Sequence, residues 1–179
     1  MQRLLPLNHP PILETRLWRW PDETACEASA QALARGVWAL PALAALRLEL
    51  DGPLGAGKTT FTRHLLRALG VQGRVKSPTY AVVEPYQLSG PQGRTLEVAH
   101  FDFYRFSDPR EWEDAGLREL FDRPGLCLSE WASKAHPWLP GPDLRLVLTP
   151  QDDESREVAL EVLTAQGLQW LAVADGNPA

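Results

Sequence analysis

Residues Gly52-Pro-Leu-Gly-Ala-Gly-Lys-Thr59 fit the spacing GxxxxGK[ST] at every fixed position. That spacing has a physical purpose: the loop wraps so that successive backbone N–H groups point at one phosphate, beside the positive end of the helix that follows. Gly52, Leu54, Gly55, Ala56 and Gly57 form the cradle, and Gly55 turns the chain without a Cβ clash. Lys58 would reach the β and γ phosphates, the Thr59 hydroxyl would sit on Mg²⁺, and Thr60 continues the nucleotide-contacting run. The bland alternative, an accidental Gly-rich turn before a helix, matches all four fixed positions in roughly one sequence of this length per hundred.

A phosphate cradle needs carboxylates to hold metal and orient water. Asp102 follows the apolar run LEVAHF, and Glu130 follows LCLS. In a parallel α/β sheet the C-terminal strand ends share one edge with the loop, so both carboxylates would converge on the metal. The competing reading is that each caps a helix or faces solvent. His100, two residues before Asp102, reads as a half-buried structural histidine. Trp131 is a candidate nucleotide-side or partner-facing aromatic, although core packing is the default for any one of seven tryptophans.

The positioning elements can be placed from pattern. Arg16 to Trp20 reads as an edge strand. Thr24 and Glu27 have the form of a capping box for a helix over Ala25 to Arg35, with Gly36 as its stop. Pro41 and an Ala/Leu stretch lead to a strand at Leu46 to Leu50. Its alternation of Leu with Arg47 and Glu49 predicts one wet face or a peripheral pairing. A helix opens at Lys58, with Phe61, Leu65, Leu66 and Leu69 on one stripe and Gly70 as C-cap. Strands are expected at Tyr80 to Tyr86, Thr95 to Phe101, Leu126 to Ser129, Leu144 to Leu148 and Glu157 to Leu163, with a hairpin connection at Ser89 to Arg94. Helical segments are expected from Asp108 through Ala115 and from Arg118 to Phe121, and the last residues are read as frayed.

With 179 residues, 44% hydrophobic, the chain reads as one domain, with a nucleotide-binding core over about 46–134 and C-terminal strands over about 143–165. No apolar run approaches a membrane span, and prolines at 6, 10 and 11 interrupt any signal-peptide core. Cys26 and Cys127 lack metal-ligand spacing, which fits a reducing cytoplasm. A net charge of −5 argues against binding nucleic acid mainly through phosphate neutralisation, although a local basic patch would survive that average.

Four blocks, GPLGAGKTT from Gly52, Ser77-Pro-Thr-Tyr80 after VK, His100-Phe-Asp-Phe-Tyr-Arg105, and Glu130-Trp131, together resemble the bacterial TsaE (YjeE) family over roughly Leu46 to Lys134. The resemblance implies an α/β, P-loop NTPase-like three-layer fold with a mixed central sheet. It further implies weak Mg²⁺-dependent ATP hydrolysis and a role beside the TsaB and TsaD proteins, which install threonylcarbamoyl on adenosine 37 of tRNAs reading ANN codons, with contact to tRNA indirect. By family pattern, Ser77 to Tyr80 is a switch-like loop in which Thr79 contacts metal or water. Asp102 matches the Walker-B-like aspartate, and Glu130 with Trp131 matches the Glu-Trp pair. Thr59, Asp102 and Glu130 are the candidate metal ligands. Pro53 and Ser133 stand where the family usually carries acidic residues.

Two rivals stay open at this level. A small-molecule P-loop kinase would use the same cradle and take Arg105, Arg110, Arg118 and Arg123 as lid arginines, though their spacing reads as solvated helix positions. A non-enzymatic ATP-sensing module would keep Lys58 and Thr59 and dispense with Glu130. A GTPase is disfavoured because no NKxD-like segment is present to read guanine.

Overall fold

The computed structural model describes residues 11–40, 45–108, 110–114 and 116–176. The prolines at 6 and 10, Pro41 with the stretch after it, Pro109 and Ala115 lie outside the described residues.

Seven strands form one sheet: β1 (Glu14–Trp20), β2 (Ala45–Asp51), β3 (Val83–Ser89), β4 (Thr95–Asp102), β5 (Gly125–Glu130), β6 (Leu144–Pro150) and β7 (Arg156–Val162). Their spatial order is β1-β7-β6-β2-β5-β4-β3. The centre is parallel, β2 pairing with both β5 and β6 and β4 pairing with β5, while β1, β7 and β3 join antiparallel.

Side chains alternate across each strand, and two apolar clusters follow. Leu126 and Leu128 of β5 and Val98 of β4 join a core beneath α1 (Glu23–Ala39), α2 (Lys58–Leu69) and α5 (Ala165–Ala174). Cys127, Ala99 and Phe101 face the other way, into a second core with Trp112 of α3 (Glu111–Asp114) and Phe121 of α4 (Arg118–Asp122). The result is three layers around a mixed sheet.

Several local expectations are corrected by tertiary context. Asp22, not Thr24, caps α1, its carboxylate accepting from the Ala25 N–H at 3.0 Å. The helix runs past Gly36 to Ala39, because Gly36 is a contact point: a Cβ there would lie 2.6 Å from Trp170 Cδ1 of α5. β2 is neither peripheral nor wet. Glu49 is buried between Arg145 (3.2 Å) and His136 (3.3 Å), and Arg47 donates through Nη2 to the Phe121 backbone carbonyl at 3.3 Å, so the polar face of the central strand is covered from above, with only the buried Arg47 Nε lacking a partner on that face among the described residues. β3 begins at Val83 rather than Tyr80, which leaves Ser77 to Tyr80 as loop. The segment expected to fray carries α5, capped by the Thr164 hydroxyl accepting from the Gly167 N–H and anchored by Trp170, whose Nε1 donates to the Leu33 carbonyl at 2.9 Å.

Candidate functional site

The Gly52–Thr59 loop leaves the C-terminal end of β2 and enters α2. Gly52 has φ +144, and a Cβ there would sit 2.6 Å from the Leu148 carbonyl oxygen of β6, so only glycine passes between loop and sheet. Gly57 caps α2 at φ +105, and its carbonyl accepts from the Phe61 N–H at 2.9 Å, the first turn of the helix. The unpaired N–H groups of that turn therefore face the loop's interior. From the opposite edge, Arg156 of β7 donates to the Ala56 carbonyl at 3.3 Å and braces the loop from outside.

A cleft of ≈ 340 Å³ opens over this loop, lined by residues Leu54 through Thr60 and by Ser77, Thr79, Asp102, Tyr104, Glu130 and Trp131. Of the residues read from sequence as phosphate, metal or water contacts, all line it except Gly52, which acts one step back: its carbonyl accepts from Lys58 Nζ at 2.6 Å. Lys58 also donates to the Pro53 carbonyl at 2.9 Å and lies 3.9 Å from the centre of the Trp131 ring. Burial lowers the Lys58 pKa from its ordinary value, while Glu130, Asp51 and Asp102 pull it back up. Trp131 holds this position with a left-handed backbone (φ 58), a conformation that costs a non-glycine residue about 1–2 kcal/mol.

The two carboxylates are neighbours because β4 and β5 are parallel and in register, Asp102 opposite Glu130. Both are buried. Glu130 accepts from the Thr59 hydroxyl at 2.8 Å through Oε2, and its Oε1 meets His100 Nε2 at 2.9 Å. Asp102 Oδ2 accepts from Thr79 at 2.7 Å and from Ser77 at 3.2 Å, and its Oδ1 accepts from the Tyr104 N–H at 3.0 Å. One carboxylate thus belongs to the Gly52–Thr59 loop and the other to the Ser77–Tyr80 loop.

His100 corrects an expectation. It is fully buried, not half-buried, and it touches Glu130 directly. Its Nδ1 has no partner among the described residues, and Nε2, which faces the carboxylate acceptor, is the nitrogen placed to donate to Glu130. The hydroxyl of Thr59 and the carboxylates of Glu130 and Asp102 are hard oxygen donors of the kind Mg²⁺ takes in twos and threes, leaving its other positions to phosphate and water. Among the described residues no group of three or more His, Cys, Asp and Glu side chains could hold a metal by itself.

A second, smaller cleft of ≈ 170 Å³ shares Ala56, Gly57 and Thr60 with the first and is walled by Trp20, Cys26 and Arg156. Sequence reasoning missed it, because Arg156 lies far down the chain and carries no local signal. Of the supposed lid arginines none lines the larger cleft. Arg105 stacks on Tyr80 at 3.9 Å, Arg110 pairs with Asp108 at 2.7 Å, and Arg123 pairs with Glu119 at 3.7 Å.

A glycine loop at the end of the central parallel strand, an α-helix leaving it and two strand-end carboxylates across the cleft define a P-loop NTPase-like protein. A model of "Threonylcarbamoyl adenosine biosynthesis protein TsaE" matches residues 20–158, and the chain belongs to the TsaE family. The match reaches well into the N-terminal segment and the C-terminal strands, beyond the Leu46 to Lys134 stretch that carries the motifs. The chain is 43% identical over 123 residues to the tRNA threonylcarbamoyladenosine biosynthesis protein TsaE of Haemophilus influenzae, covering 69% of this chain and 74% of that one. It is 40% identical over 111 residues to the protein of that name from Bacillus subtilis, covering 62% and 66% respectively. The crystal structure of Bacillus subtilis YdiB superposes with a TM-score of 0.71 at 28% identity, over 91% of this chain and 95% of that one. No helix among the described residues is long and apolar enough to cross a membrane.

Proposed function

We propose that this protein is a cytoplasmic, Mg²⁺-dependent ATPase of low intrinsic rate that acts with TsaB and TsaD in threonylcarbamoylation of adenosine 37 in tRNAs reading ANN codons. In this reading hydrolysis resets the modifying assembly after each turnover. The observation that carries it is the split pairing across the cleft, Thr59 with Glu130 and Thr79 with Asp102. Purely structural carboxylates would not each need to face a hydroxyl lining the same cleft.

The phosphates lie over the Gly52–Thr59 loop, with the Lys58 ammonium and the N–H groups of the first turn of α2 as their counter-charge. Thr59 and Glu130 would hold Mg²⁺, which would supply neutralisation of charge on the phosphate oxygens. Asp102 and Thr79 orient the attacking water: the Thr79 hydroxyl already donates to Asp102, so a water displacing that bond meets a carboxylate acceptor. His100 keeps Glu130 aimed at Thr59. The reaction needs placement and charge stabilisation more than covalent chemistry, and buried, mutually bonded carboxylates supply both.

The kinase reading loses its structural support with the arginines that fail to reach the cleft. The sensing-module reading remains the sharper rival. ATP hydrolysis by the pure protein with Mg²⁺, alone and with TsaB and TsaD added, discriminates between them. Slow turnover stimulated by the pair is expected; tight ATP binding with no hydrolysis under either condition would reassign the chain to a nucleotide sensor.

A further inference from the structure

Beside the phosphate cleft lies a shallow one of ≈ 570 Å³ walled by Arg63, Arg67, Arg74 and Lys76, with Thr59 and Ser77 at its inner end. Local sequence builds it. Arg63 and Arg67 are one turn apart on α2 and so share a face. Gly70 (φ +118) ends the helix, the Val71 N–H returns to the Leu66 carbonyl at 2.9 Å, and Gly73 (φ +82) turns the chain back. Buried Val75 pins the returning segment, which brings Arg74 and Lys76 to the same cleft.

Four cations and no acidic residue line this cleft, in a chain whose net charge is −5. None of the four side chains has a hydrogen bond or ion pair among the described residues, whereas Arg16, Arg19, Arg145 and Arg156 are all engaged. Nor does any of them line the phosphate cleft, so they are surplus to the nucleotide site. Concentrating unpaired like charge costs self-repulsion, and an anionic occupant removes that cost.

The lining selects among polyanions. A protein partner would want an apolar or aromatic anchor at the centre of the contact, and here the apolar contribution is Val75, which is itself buried. A nucleic-acid backbone needs no such anchor, and three guanidinium forks match phosphate oxygens. We propose that this cleft is a track for the phosphodiester backbone of RNA, so that the chain touches tRNA directly rather than only through its partners. The inference goes beyond the ATPase reading and does not depend on hydrolysis.

The test is fluorescence anisotropy of a dye-labelled tRNA transcript reading an ANN codon, titrated with full-length protein across a salt series. Arg67→Ala/Arg74→Ala changes two exposed residues outside the nucleotide site, and Mg²⁺-ATP hydrolysis is followed on the same samples. Wild type is expected to bind with a log affinity that falls steeply with log salt. The double variant should bind about tenfold more weakly, with a slope shallower by about 1.4–1.8, or 0.7–0.9 for each lost phosphate contact, and with hydrolysis unchanged. Absence of salt-dependent binding, or an identical slope in the variant, would overturn the proposal. So would displacement of the RNA by poly-glutamate at equal charge, which would assign the cleft to an acidic protein segment. Loss of hydrolysis in wild type with RNA binding intact would count against the ATPase reading alone.

Discussion

Glu130→Gln and Glu130→Ala remove the same charge at different structural cost, and the difference can be worked from the contacts. The carboxylate is buried and receives two hydrogen bonds, from Thr59 at 2.8 Å and His100 at 2.9 Å. Glutamine keeps the shape and can still face both partners, so its stability should stay within about 1 kcal/mol of wild type. Alanine leaves two donors behind. Thr59 is partly exposed and its hydroxyl can turn to water, but the His100 ring is fully buried and cannot. Losing a hydrogen bond to a charged group at His100 costs about 1.5–3 kcal/mol. In a chain of this size that corresponds to a fall in Tm of about 3–12 °C. Catalytically both variants lose the charge, and about 1.5–3 kcal/mol of transition-state interaction is a rate reduction of about 10–150-fold. Thermal unfolding by circular dichroism and single-turnover hydrolysis of Mg²⁺-ATP read the two effects separately. The reasoning fails if Glu130→Gln hydrolyses ATP at the wild-type rate, or if Glu130→Ala melts with wild type.

Lys58→Ala deletes the buried ammonium that faces the cleft, and calorimetry should register a loss of ATP affinity of about 10–150-fold from the same range of charged-contact energies. Unchanged affinity would remove Lys58 from the cradle. Gly36→Val drives a side chain into Trp170 and its backbone carbonyl. Overpacking of this kind costs about 1–3 kcal/mol and should lower Tm by about 2–12 °C while leaving ATP affinity intact at low temperature, since Gly36 lines neither cleft. Burial pushes the Cys26 and Cys127 thiols up to about 12, so both stay protonated at pH 8, and native protein should resist a disulfide-exchange reagent that labels both thiols in denaturant. Rapid labelling of either in the native protein would contradict their packing.

What could be read from sequence was whatever is encoded within a few consecutive residues. The phosphate loop is such a case, because its glycines and its Lys-Thr pair sit next to one another and the chemistry fixes their order. The carboxylates at 102 and 130 were also legible, since apolar runs ending in an acid become neighbours once their strands are parallel and in register. Which carboxylate meets which hydroxyl was not legible, because the pairing depends on where the Ser77–Tyr80 loop and the start of α2 fall in space. The same holds for His100, whose side chain shares the face of β4 with Val98, the face covered by the core beneath the helices. LRLEL misled for a related reason: Arg47 and Glu49 look solvent-facing until Arg145, His136 and the Phe121 carbonyl are laid over them. Gly36 looked like a helix stop and is instead where α1 and α5 approach, a contact invisible without the second helix. α5 itself was overlooked, although Thr164 and the apolar residues after it form a capped helix start.

The most direct test of the central claim is multiple-turnover threonylcarbamoylation of a tRNA reading ANN codons by TsaB and TsaD, measured by mass spectrometry of the modified adenosine. Substrate is in excess over enzyme, and the reaction contains this protein, its Glu130→Gln variant, or neither. The account predicts many rounds of modification with the wild-type chain and at most about one equivalent with the variant or without the chain. Equal product from wild type and Glu130→Gln would contradict it, leaving a nucleotide-binding protein whose hydrolysis plays no part in the modification.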